Sequence, residues 1–167
     1  GGITCQLEQN ELDRCNLHSN IIKLLPFSLE EIHVKFTELP KNTDDLMFRG
    51  FYPRLYDQKI DPATGLADYV ETYIERDLRQ LSQIQDLLLF QKFMKLCAGR
   101  VGRILNFSNL ADDTGISHKT AAEWISLLEA SFIVFRLTPF FFFFFKRLIK
   151  SPKLYFYDIG LAANLLG

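Results

Sequence analysis

The chain has 167 residues, 48% of them hydrophobic, and a formal net charge of −1. That is enough apolar material for one large or two small globular domains, and no apolar run is long enough for a transmembrane helix. Cys5, Cys15 and Cys97 lack metal-ligand spacing, which argues against a cysteine-held metal; an odd thiol count without a signal peptide points to reduced thiols in a cytoplasmic protein.

The small net charge conceals a division along the chain. Residues 1–85 carry 9 basic and 14 acidic side chains, whereas residues 86–150 carry 9 basic and 5 acidic. The second stretch has the sign that phosphate binding requires, although a solvated basic face has the same sign.

In chain order, residues 5–20 are polar with little pattern. Ile21 to Ser28 reads as a short strand stopped by Pro26. Ser28 then caps a helix, and Glu31 three residues later completes a capping box. Pro40 to Asp45 reads as a loop, Arg49 to Pro53 as a turn, and Asp57 to Gly65 as a second polar loop. A long helix is expected from about Asp68 to Leu81, with Tyr69, Tyr73 and Arg76 on one side and Val70, Ile74, Asp77 and Leu81 on another. Asp86 to Leu96 is a strongly apolar core helix. Gly99 to Arg103 ends it at a glycine, with Arg100 and Arg103 near its negative end.

Asn106 to Phe135 is the most informative stretch. Ser108 is placed as the N-cap of a first helix, and Gly115 suits the left-handed position that ends it. Ile116 is the apolar residue of the turn, and Ser117 caps a second helix. Along that helix Ala121, Trp124, Ile125, Leu127 and Leu128 form an apolar stripe, with His118, Lys119, Glu123 and Ser126 opposite. Ser131 breaks the pattern and Phe132 to Phe135 is a β-rich run. This is a helix-turn-helix leading into a strand, the docking geometry of a winged helix. The second helix is poor in base-reading groups: it offers His118, Lys119 and Thr120 but no Arg, Asn or Gln.

No comparable catalytic constellation is present. Glu71, Glu75 and Asp77 alternate with Arg76 and Arg79, as on a salt-bridged exposed helix. Asp112 and Asp113 fall in a helix C-terminal turn. His18, His33 and His118 stand alone, and no Gly-Lys-Ser/Thr phosphate loop occurs. The run Phe140–Phe145 places rings on both faces of any strand it forms. Either a partner or a further domain packs there, or the stretch is an atypical sequence whose wing function is lost; both make wing contact with a phosphate backbone less favourable.

Five motifs occur in order: LLPFSLEE at 24–31, RGFYPRLYD at 49–57, YVETYIERDLRQL at 69–81, ISHKTAAEWISLLEASFIVFRL at 116–137, and KRLIKSPKLYFYDIGLAANLLG at 146–167. Together they resemble a group of prokaryotic AAA-type ATP-binding proteins. In these, a P-loop ATPase domain precedes a C-terminal domain of unknown function built of a winged helix and a nuclease-like fold. The resemblance implies a mainly α fold with small β, a helical connector plus a winged helix-turn-helix. Residues 1–35 would be the end of the ATPase domain, 36–85 the connector, 86–158 the winged helix and 159–167 the start of the nuclease-like region. ATP and Mg are implied for the full-length family and no cofactor for this chain, since the phosphate loop and its acidic partner strand are absent. Asp158, in the FYD-x-G-LA motif, is read as the N-cap of a helix from Ile159 to Leu166.

Two functions follow. In one, the winged helix binds DNA, with Ser117, Lys119 and Thr120 at the groove and Arg136, Lys146, Arg147 and Lys150 on phosphates. In the other it is a protein–protein adaptor that couples the ATPase and nuclease-like domains by packing alone. No membrane partner is expected in either.

Overall fold

Among the described residues, every helix start but that at Pro53 is set by a side-chain oxygen that accepts a free N–H group of the first turn. In the computed structural model, which describes residues 24–36, 40, 42–73, 84, 86–139 and 151–167, Ser28 opens α1 (Leu29–Lys35). Its Oγ accepts from the Glu31 N–H at 3.2 Å, and Glu31 accepts from the Ser28 N–H at 2.8 Å, the capping box expected from the sequence. Residues 24–28 just before it are not a strand: Phe27 makes a single backbone bond, its N–H to the Phe51 carbonyl at 2.8 Å.

The expected loop at 40–45 gives way to α2 (Thr43–Arg49). Asn42 caps it through the Asp45 N–H at 2.8 Å, and Asp45 pairs with Arg49 one turn later at 3.0 Å. After α3 (Pro53–Asp57), α4 (Pro62–Thr72) starts well before Asp68, because Asp61 accepts from the Thr64 N–H at 3.0 Å and Pro62 at the first helical position needs no acceptor. Tyr69 and Tyr73 do share a side, with stacked rings 5.6 Å apart. Residues 74–81 of the expected helix lie outside the described residues.

The second half follows the expected order: α5 (Leu87–Ala98), α6 (Phe107–Thr114), α7 (His118–Ala130), β1 (Val134–Leu137), β2 (Lys153–Phe156) and α8 (Ile159–Leu166). Asp86 caps α5 and Gly99 ends it in a right-handed conformation, while Gly102 supplies the left-handed turn beyond. The N-cap of α6 is Asn106, not Ser108: the Asn106 Oδ1 accepts from the Asn109 N–H at 3.1 Å, so the helix already includes Phe107 and Ser108.

Among the described residues the protein is thus eight helices with a two-stranded antiparallel sheet, mainly α with small β. Phe90, Phe93 and Met94 of α5 meet Leu110 of α6 and Ile125 and Leu128 of α7 at the centre of the core. Trp124 sets its ring edge-on to Phe90 and Phe93 at 5.0 and 5.2 Å. Val134 and Leu154 close the core from the sheet. Leu55, Leu66 and Ile84 belong to the same buried cluster, so the helices of the expected connector share one core with the later elements.

Candidate nucleic-acid interface

The turn between α6 and α7 is built by Gly115, at φ +93° and ψ 33°, whose N–H returns to the Ala111 carbonyl at 2.8 Å. Only glycine adopts that backbone at low cost. Thr114 hides its hydroxyl against the Leu110 carbonyl at 2.6 Å, and Lys92 reaches across from α5 to the Thr114 carbonyl at 3.0 Å. These bonds consume the carbonyls at the end of α6 and fix where α7 begins. Ser117 caps α7 through the Thr120 N–H at 3.0 Å. Ala121, Ile125 and Leu128 turn inward, and His118, Lys119, Glu123 and Ser126 face outward.

Of the candidate contact residues, Ser117, Lys119, Thr120 and Arg136 have definite states. Lys119 is exposed, with Nζ 3.9 Å from Glu123, a solvated pair that holds it weakly. The Ser117 and Thr120 hydroxyls are hydrogen-bonded to one another at 2.8 Å, so they are oriented by the helix start. Arg136 leaves β1 to meet Glu129 of α7 in a two-bond ion pair at 2.5 and 2.7 Å. Much of its charge is spent there. Lys146, Arg147 and Lys150, and the run Phe140–Phe145, lie outside the described residues.

Sequence reading missed the start of α6. Exposed Asn106, Ser108 and Asn109 adjoin the start of α7 through Phe107, whose ring meets His118 edge-on at 5.7 Å. The signal available was two capped helix starts eleven residues apart, at Asn106 and Ser117, joined through one aromatic residue. Arg100 is not free for phosphate: it pairs with Asp113 and donates to the Leu96 carbonyl at 2.9 Å.

A short segment before α6 adds a third strand-like partner. Ile104 lies opposite Lys153, the Leu105 N–H donates to the Pro152 carbonyl at 2.8 Å, and the Leu154 N–H donates to the Arg103 carbonyl at 3.1 Å. β2 is therefore bonded on both edges, to residues 102–105 on one side and to β1 on the other. The register with β1 sets Val134 opposite Phe156 and Leu137 opposite Lys153.

Asp158 is where the two halves are tied. It caps α8 as expected, with Oδ1 accepting from the Leu161 N–H at 2.7 Å. Its Oδ2 also accepts from the Phe51 N–H at 2.5 Å, 107 residues away. The side chain is 0% exposed, and burial raises its pKa against the opposing pull of the Leu161, Phe51 and Gly160 N–H groups. Gly50 and Gly160 pass so closely that a Cβ on Gly160 would lie 2.4 Å from the Gly50 Cα. The RGFYPRLYD and FYDIGLA motifs are thus one joint, tied by the Asp158 carboxylate and by the close passage of Gly50 and Gly160. Among the described residues no three His, Cys, Asp or Glu side chains gather to hold a metal ion. No helix among them is long and apolar enough to cross a membrane.

Residues 40–167 match the family described as Domain of unknown function (DUF8612). The chain belongs to that family. The DUF8612 chain is also similar to two uncharacterized proteins, one from Mycobacterium bovis and one from Mycobacterium tuberculosis. Each is 31% identical over 126 residues, a match that takes in 74% of this chain and 29% of the relative. The matched part of the chain therefore spans less than a third of the length of those relatives. No solved structure matches it. The family match begins at residue 40, so α1 precedes it while the Asp158 joint, α6 and α7 all fall inside it.

Proposed function

We propose that this DUF8612 domain is a winged helix that binds duplex DNA through the N-terminal end of α7, within a longer AAA-type ATP-binding protein. The reading rests on one arrangement above all. A core helix, a short sheet-edge segment, two helices joined at a left-handed glycine and an antiparallel pair of strands follow one another as α5, 102–105, α6, α7, β1 and β2. That order leaves the first turn of α7 outward while its apolar stripe is locked in the core. Ser117, His118, Lys119 and Thr120 would enter the groove, and the exposed start of α6 would lie along the backbone.

No Gly-Lys-Ser/Thr phosphate loop occurs in the sequence. In this proposal nucleotide chemistry and any nuclease-like activity belong to other parts of the longer polypeptide.

A second reading has its own observation. Arg136 is held by Glu129, and the Asp158 joint fastens the segment after α2 to the start of α8. Both suit an adaptor that passes movement between neighbouring domains by packing. The two readings separate on a DNA titration with the Lys119→Ala variant. The groove reading expects weakened, less salt-dependent duplex binding, and the adaptor reading expects no duplex binding to weaken.

A further inference from the structure

The sheet has a second face. Val134, Leu154 and Phe156 point into the core, so by alternation Phe135, Leu137, Lys153 and Tyr155 point outward, and Ile104 joins their row beside Lys153. The Phe135 and Tyr155 rings are stacked, with centroids 5.5 Å apart and 18° between their planes. Tyr157 continues the series 4.9 Å from Phe135, and Phe132 follows 6.1 Å from Tyr157. All four rings are half-buried, while Leu137 is 53% and Ile104 49% exposed.

Lys153 is the charged member of this row. Residues 102–105, 134–137 and 151–157 contain no Asp or Glu. Arg136 lies opposite Leu154 in the register, on the core-facing side, where Glu129 holds it. Lys153 stands exposed in the middle of the row, and Arg103 is exposed on the edge segment beside it. A protein partner that buried this face would leave Lys153 in an apolar interface without a carboxylate from its own sheet. A polyanion whose bases have flat π-faces meets both features: rings to stack on and cations for its backbone.

We propose that the outward face of this sheet binds single-stranded nucleic acid, with bases stacking on Tyr155, Tyr157 and Phe135 while Lys153 and Arg103 neutralise phosphates. The site uses different residues from the α7 groove and stands or falls separately from it.

The test is fluorescence anisotropy of labelled oligo(dT), and of a duplex of equal length, titrated with the full chain at low salt. Oligo(dT) should bind, and Tyr155→Ala should weaken it by about tenfold or more while Tyr155→Phe retains it. Lys153→Ala should lower the magnitude of the salt slope by about 0.7. Lys119→Ala should leave oligo(dT) affinity unchanged. Should Tyr155→Ala fail to fold, Lys153→Glu takes its place and should abolish binding. Absence of oligo(dT) binding overturns the proposal. So does unchanged affinity in a folded Tyr155→Ala or Lys153→Glu variant, the result expected if the face covers another protein segment. Loss of duplex binding alone bears on the α7 groove and leaves this site intact.

Discussion

Replacing Asp158 by alanine should destabilise the protein by about 2–3 kcal/mol, more than removing an ordinary helix cap. Two terms contribute. Loss of the α8 cap costs about 1 kcal/mol. The Phe51 N–H, now bonded to Oδ2 at 2.5 Å, then loses its acceptor within a buried joint, which adds about 1–3 kcal/mol. Relief of the buried charge works in the opposite direction and keeps the total in the lower part of the summed range. The comparison is Asp86→Ala, which removes an exposed cap that accepts only from the Leu89 N–H at 2.9 Å, and should cost about 1 kcal/mol. Urea unfolding of both variants, followed by far-ultraviolet circular dichroism, reads the difference as a midpoint shift at constant slope. An Asp158→Ala midpoint no lower than that of Asp86→Ala would refute the joint as described.

The remaining predictions concern the same joint, the turn and the buried thiol. Gly160→Ala should cost about 3 kcal/mol or more, since its Cβ would meet Gly50 backbone atoms at 2.4 and 2.6 Å, whereas Gly115→Ala has open space and should cost only about 1–2 kcal/mol for its positive φ; equal melting losses would contradict this. The Asp158 pKa is raised in the folded state, so the group binds its proton more tightly there than in the unfolded chain. Relative to Asp158→Asn, the parent should therefore gain stability as pH falls from neutral through that raised value, with the gain complete below the unfolded value of about 3.9; a flat difference in urea midpoint would count against it. Cys97 is buried with its thiol pushed up to about 12, so iodoacetamide at pH 8 should label it only after urea unfolding, as mapped by peptide mass spectrometry; rapid labelling of the folded protein would contradict its placement.

What the sequence made legible were features written in local chemistry. The Ser28–Glu31 box, the Ser117 cap, the left-handed Gly115 and the Asp158 cap each need only three or four neighbouring residues, and each stands where it was expected. The apolar stripe of α7 was legible for the same reason, because a helix repeats its inward face every turn. The errors came where several local solutions compete. Asn106 and Ser108 can both cap a helix, and the earlier start brings Phe107 into the helix and onto the edge of the core. α2 has no buried residue, so no periodicity announces it; its Asn42 cap and Asp45–Arg49 pair hold it instead. The pairing of residues 102–105 with β2, and the bond from Phe51 to Asp158, join positions far apart in the chain. Neither leaves a mark in the spacing of nearby residues. The outward placement of Lys119 was legible from helix periodicity; the engagement of Arg136 by Glu129 was not, because it depends on how β1 returns beside α7.

The central claim is that the start of α7 lies on duplex DNA. Its most direct measurement is the salt dependence of duplex binding by the full chain and by Lys119→Ala. The account predicts that log affinity falls linearly with log salt for both, with the variant weaker and its slope smaller in magnitude by about 0.9. Identical affinities and slopes for the two proteins, or no duplex binding at low salt, would contradict it.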